Sequence, residues 1–277
     1  MATTELAARV AGMTWYHTIE LAPGLVTPGY YDLRPVVDRM PWPDVRGKRC
    51  LDVGTFDGFL AFELERRGAA EITAVDLDSY EELDWLPDRR EGGPAKLAEV
   101  IGPRGEGFRV AAEALGSKAT RLGMNVYDLS PDRVGMFDVV VCGSLLLHLR
   151  DPLRALEAIR SVCAGSFLSA EAIELGLTLM HRRKPLILMR GAQDVWTTAN
   201  AAGHRRMLFA TGFRIERVSG RYAVPYGAAG AKSKGSGRKG RLRSELRSLT
   251  SRFLAGGDGV PHQAVLARPR VGTAALQ

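Results

Sequence analysis

The sequence predicts an α/β fold, an open and mostly parallel sheet with helices on both faces. Three stretches support it. The first is Arg49-Cys50-Leu51-Asp52-Val53-Gly54-Thr55-Phe56-Asp57-Gly58, an apolar run of buried-strand type that Gly54 and Gly58 break. Phe59, Leu60, Phe62 and Leu64 follow in a helical stretch that ends at Arg66-Arg67-Gly68. The second is Glu71-Ile72-Thr73-Ala74-Val75-Asp76, a strand tipped by a carboxylate 24 positions after Asp52. The third is Phe137-Asp138-Val139-Val140-Val141-Cys142, almost uniformly apolar, as in a central parallel strand buried on both faces.

Strand, glycine turn and helix form a ligand-holding unit at the edge of a parallel sheet. The glycines let a ligand approach the backbone, and the helix N-terminus offers unpaired N–H groups. An acid such as Asp76 stands where these folds accept hydrogen bonds from ribose hydroxyls.

Residues 1–46 precede the sheet and read as an arm or lid, with residues 47–277 as the main domain. The arm holds Trp15-Tyr16-His17-Thr18-Ile19-Glu20-Leu21, then Tyr30, Tyr31 and Asp32. His17 and Glu20 are spaced to share a helical face. After Asp76 comes a long insertion, with loop over residues 81–94 and helix over 95–115 broken at Gly102-Pro103. A short strand is expected at Ser117–Thr120. Asp151 and Pro152 open a helix through Arg160. Ser166–Ala170 is a further strand ending at Glu171, residues 172–198 are irregular, and a helix runs from Ala199 to Ala210. Gly212–Val218 alternates as a half-exposed strand, and Gln263–Ala267 is the last strand.

The net charge of +7 is local. Lys232, Lys234, Arg238, Lys239, Arg241, Arg243, Arg247 and Arg252 face only Glu245, so the rest of the chain is near neutral. A general polyanion-binding surface is therefore not implied, and one basic insertion, residues 228–258, is predicted before the last strand. Its first part, Ala228–Gly240, should be mobile, and Leu242, Leu246 and Leu249 mark an amphipathic helix at the rim of the site. Cys50, Cys142 and Cys163 lie in apolar stretches without metal-ligand spacing, which points to reduced core thiols, no metal and a cytoplasmic protein. No leader and no membrane-spanning stretch are expected.

The glycine pattern narrows the ligand. Dinucleotide sites require a small residue where Phe56 stands, so that a pyrophosphate can approach. Asp-x-Gly-x-x-x-Gly after an apolar strand instead resembles motif I of class I S-adenosylmethionine-dependent methyltransferases. With Asp76, the strand at 137–142 and the closing strands, the chain is similar to their seven-stranded, Rossmann-like fold. More narrowly, Trp15–Tyr31, Gly47–Asp78, Phe137–Leu156 and Trp196–Phe213 resemble the tRNA wobble-uridine carboxymethyltransferases and their methyltransferase relatives.

The resemblance implies S-adenosyl-L-methionine as cofactor, held by Asp52, Gly54, Thr55, Phe56, Gly58, Asp76, Leu77 and Gly143. Val126 and Tyr127 would lie at the adenine. Trp15, Tyr31, Leu147 and Trp196 would contact the acceptor. One departure matters: the RNA-modifying members carry Leu-Tyr-His where this chain has Leu146-Leu147-His148. A leucine cannot bond the extra carboxylate of the carboxylated cofactor, which favours the ordinary one and a methyl product.

Methyl transfer demands alignment, exclusion of water and, for a hydroxyl acceptor, removal of a proton. His148, Glu171 and His17 are the candidate bases. The competing readings are a histidine bonded to backbone and a carboxylate that only orients the acceptor. The expected acceptor is a small molecule. The alternatives are a tRNA gripped by the basic segment and a fold kept as a binding module without turnover.

Overall fold

The computed structural model describes residues 3–192, 195–232 and 257–270. The central sheet is built from β3 (Arg49–Val53), β4 (Glu71–Asp76), β5 (Thr120–Gly123), β6 (Phe137–Gly143), β7 (Cys163–Ala172), β10 (Phe213–Val218), β11 (Tyr222–Val224) and β12 (Val260–Pro269). Two small hairpins lie outside it, β1 (Glu20–Ala22) with β2 (Leu25–Val26) and β8 (Ile187–Ala192) with β9 (Val195–Ala199). The order across the sheet is β10-β12-β7-β6-β3-β4-β5, with β11 paired to the free half of β12. The strands from β7 to β5 are parallel, and β12 runs antiparallel to β7, β10 and β11. The chain leaves β3 towards β4 and later returns on its other side as β6. The carboxyl ends of β3 and β6 thus flank a topological switch point, where open α/β sheets bind ligands.

Alternation along the strands divides the core. Cys50, Val139 and Val141 face one cluster, and Leu51, Val53, Val140 and Cys142 face the other. The first cluster is closed by α2 (Phe59–Arg66), α4 (Glu106–Leu115) and the arm, whose helix α1 (Thr3–Ala11) contributes Leu6 and Val10. Trp15 is fully buried there, and its indole N–H donates to the Val10 carbonyl at 3.1 Å. The second cluster is closed by α6 (Pro152–Val162), through Ala155, Leu156 and Ile159, and α8 (Ala201–Ala210), through Met207 and Leu208. Asp151 caps α6 by accepting from the Arg154 N–H, and Asn200 caps α8 by accepting from the Gly203 N–H.

Several expectations shift. The third parallel strand lies at 120–123 rather than 117–120. His17 and Glu20 share no helix: His17 bridges Tyr31 as extended chain, and Glu20 opens β1. Of residues 172–198, expected to be irregular, the described ones include α7 (Leu175–Met180) and the paired strands β8 and β9. The insertion after Asp76 forms α3 (Gly93–Ile101) and α4, broken at the expected Gly102-Pro103. Ala228–Lys232 forms a short helix, α9, and residues 233–256 of the basic insertion, with its leucine face, lie outside the described residues. The chain leading into α9 packs on the arm: Asp32 donates to the Pro225 carbonyl at 2.9 Å, Gly227 to Tyr30 at 2.8 Å and Ala229 to Gly29 at 3.2 Å.

Candidate active site

The glycine turn after β3 is drawn over the sheet edge by three residues at positive φ, Gly54 (78°), Phe56 (47°) and Gly58 (94°). At Gly58 a Cβ would meet the Phe62 and Phe108 rings at 2.6 and 2.7 Å, so only glycine opens α2 here. Phe56 takes the same region with a bulky side chain, at a strain on the order of 1–3 kcal/mol. Its N–H donates to Asp76 Oδ2 at 2.7 Å, and its ring lies 5.0 Å from that of Tyr16.

Two carboxylates beneath the turn are almost sealed from water. Asp52 is 1% exposed and neither of its oxygens has a hydrogen-bond partner among the described residues. Burial pushes its carboxyl up to about 7; the Thr55 hydroxyl and the Ala61 amide pull the other way without reaching hydrogen-bond geometry. Asp57 accepts from the Tyr16 and His17 N–H groups at 2.7 and 2.9 Å. Burial lifts it to about 7 as well, against those two bonds.

The main cleft lies over the switch point. Gly54 and Phe56 from the turn, Asp76 and Leu77 after β4, Val126 and Tyr127 after β5, and Gly143 to Leu145 with His148 after β6 line it. Tyr16 and His17 of the arm cover one side, and Leu83, Trp85 and Leu97 of the insertion add an apolar wall. The arm is therefore core and cover at once. Asp76 Oδ1 accepts from the Leu77 N–H at 2.7 Å and from Arg104, a residue no motif marked.

The candidate bases differ in placement. His148 lines the cleft on the turn after β6. His17 lines it too, but burial lowers its pKa to about 3, leaving a weak base. Glu171 lies beneath the turn, 3% exposed, accepting from the Leu145 and Leu146 N–H groups at 3.3 and 3.4 Å. Burial pushes its carboxyl up to about 8, opposed by those amides.

The acceptor residues expected from sequence are not brought together. Trp15 is in the core, and Tyr31 stacks between Tyr16 and Tyr226 at 5.1 and 5.9 Å. Trp196 donates to the Asp84 carbonyl at 2.6 Å. Leu147 lines a separate small cavity with Glu171 and His204. Ser144 was missed in the sequence. At φ 52° it lines the cleft, and its Oγ lies 2.8 Å from His262 Nε2. His262 Nδ1 lies 2.8 Å from the Val260 carbonyl, so Nδ1 carries the proton and the serine hydroxyl donates to Nε2. Only the fold joins them, since 118 residues separate the two.

A profile described as "Methyltransferase domain" matches residues 28–214, more than half of the chain. The chain belongs to this family. The methyltransferase domain is 28% identical over 114 residues to a ubiquinone biosynthesis O-methyltransferase of Vibrio campbellii, covering 41% of this chain and 38% of the relative. The same enzyme of Vibrio parahaemolyticus is 30% identical over 112 residues, covering 40% and 37%. The chain thus spans well under half of the curated relatives it matches. Among solved structures, the [4+2]-cyclase SpnF is 19% identical, covers 97% of this chain and 93% of its own, and has a TM-score of 0.50. That likeness is of fold.

An adenosine-type cofactor fits the methyltransferase domain's cleft. Among the described residues Asp76 Oδ2 accepts from one N–H, and Val126 and Leu77 offer apolar faces. No helix among the described residues is long and apolar enough to cross a membrane, and none of their His, Cys, Asp and Glu side chains cluster as a metal site.

Proposed function

We propose that this methyltransferase domain transfers a methyl group from S-adenosyl-L-methionine to an O or N atom of a small acceptor. The observation that supports it is the cleft at the ends of β3, β4 and β6, lined by Gly54, Asp76 and Val126 and roofed by Tyr16 and His17. The cofactor supplies an electrophilic methyl group. Residues of the chain orient the acceptor, keep water out with the arm and the Leu83–Trp85 wall, and remove a proton where the acceptor carries one.

A roofed and largely apolar cleft suits a small, apolar or aromatic acceptor better than a folded RNA. The tRNA reading relied on residues 232–252, nearly all outside the described residues. Leu147, on which the case against a carboxylated cofactor rested, lines another cavity, so the preference for a methyl product stands on the cleft. Fold alone does not choose the reaction, since a cyclase shares it. A cytoplasmic setting is consistent with three free, buried cysteines.

Calorimetry with S-adenosylhomocysteine tests the cofactor site. Asp76→Ala should weaken binding by about 1.5–3 kcal/mol, through loss of charge-assisted bonds to the ribose. No affinity in the unaltered chain, or tight binding of NAD, would end this reading.

His148 is the base best placed in the cleft, because His17 is hard to protonate and Glu171 lies beneath the turn. With labelled cofactor and a panel of phenols, catechols and amines, His148→Ala should lower kcat by 10²–10⁴-fold, the usual share of a general base. Affinity for S-adenosylhomocysteine should change little. Unaltered turnover would leave alignment alone to drive the reaction.

A further inference from the structure

Arg104 stands in the link between α3 and α4, flanked by Gly102 and Pro103 before it and Gly105 after it. Both glycines are at positive φ, 89° and 75°. With Pro103 between them the link has little freedom, so the side chain leaves from a fixed base. The guanidinium is then held on several sides. Its Nε donates to the Leu77 carbonyl at 3.0 Å and its Nη2 to Asp76 Oδ1. The group lies over the rings of Phe56 and Tyr80, 5.4 and 5.2 Å from their centroids.

The side chain is only 8% exposed, yet Nη1 donates to no described residue. Asp76 has capacity to spare as well: among the described residues Oδ1 takes the Leu77 N–H and Arg104, whereas Oδ2 takes the Phe56 N–H alone. The ion pair thus joins a guanidinium and a carboxylate that each keep hydrogen-bonding capacity among the described residues. Both residues line the cleft.

We infer that Arg104 and Asp76 form a paired donor and acceptor for a vicinal diol. Asp76 Oδ2 accepts from one hydroxyl, and Arg104 Nη1 donates to the oxygen of the next. This rests on the cofactor reading above, in which the ribose reaches Asp76. A carboxylate alone takes hydrogens from a diol and leaves the hydroxyl oxygens unread. Adding a fixed donor reads them too and discriminates against a sugar that lacks them, because the buried guanidinium edge would stay unpaired.

The test compares S-adenosylhomocysteine with its 2′,3′-dideoxy analogue by calorimetry on the full chain. Arg104→Met should weaken S-adenosylhomocysteine at least tenfold and leave the dideoxy analogue nearly unchanged, so the preference for the diol shrinks by that factor. Arg104→Lys, which keeps the charge without the fork, should fall between. Thermal unfolding of each variant identifies any loss of fold. Equal weakening of both ligands would make Arg104 structural, and tighter binding by Arg104→Met would make it a plug; either overturns the inference. If the unaltered chain binds S-adenosylhomocysteine with no preference over the dideoxy analogue, the diol contact fails while the cofactor reading stands. If it binds neither, the cofactor reading fails first and takes this one with it.

Discussion

Stability of the cofactor-free protein should be level from about pH 4 to 6.5 and fall on both sides. Asp52, Asp57 and Glu171 are lifted by burial to about 7, 7 and 8. Above pH 6.5 the folded chain still holds protons on these carboxyls that the unfolded chain has released, so raising the pH favours unfolding. His17, His204 and His262 are lowered by burial to about 3, 3 and 4. Below their ordinary value the unfolded chain protonates them first, so raising the pH favours folding. Between about 4 and 6.5 three carboxyls and three imidazoles oppose each other and nearly cancel. From 6.5 to 8 only the carboxyls act, for a loss of about 3 kcal/mol at 1.4 kcal/mol per pKa unit. Urea unfolding across the pH range measures this. Asp52→Asn should take only about 0.7 kcal/mol off the alkaline loss, because Glu171 titrates highest, and a level profile from 6.5 to 8 would remove the buried-acid account.

Asp57→Ala should detach the arm from the glycine turn. Two buried amides, those of Tyr16 and His17, lose the carboxylate oxygen that accepts both. Leaving a buried amide without an acceptor costs about 1–3 kcal/mol each, so a loss of about 3 kcal/mol is expected. Asp57→Asn keeps an acceptor and should lose less. Hydrogen exchange over residues 14–20 is the direct readout, because those amides should exchange faster than the sheet core. Unchanged protection there would mean that the buried Trp15 alone anchors the arm.

The sheet was legible because its central strands are buried on both faces and so are apolar without interruption, as at Phe137–Cys142. The turn at 54–58 was legible because positive φ demands glycine at two of its positions. Its third, Phe56, hid the same backbone behind an ordinary side chain. The β8–β9 hairpin was missed because Arg190 breaks its apolar pattern, and it is tied down by an ion pair to Glu174. The partners in the site were less visible still. Arg104 reaches Asp76 across 28 residues and Ser144 reaches His262 across 118, distances over which no periodicity in a sequence speaks. Leu147 and His148 share one short helical turn after β6, yet His148 lines the cleft and Leu147 a separate cavity, a divergence that sequence adjacency conceals.

The seam between residues 29–32 and 225–229 joins stretches of the chain that lie on either side of nearly the whole sheet in sequence. During synthesis the arm emerges before the sheet, and the carbonyls of Gly29 and Tyr30 gain the N–H groups of Ala229 and Gly227 only when the segment after β11 leaves the ribosome. Closing so long a loop is entropically expensive, about 5 kcal/mol, and is repaid only once the sheet holds both ends in place. The glycine turn and β4 can therefore form while this seam is still open. A nascent or truncated chain would leave this edge of the arm open, and the seam would close among the later steps of folding.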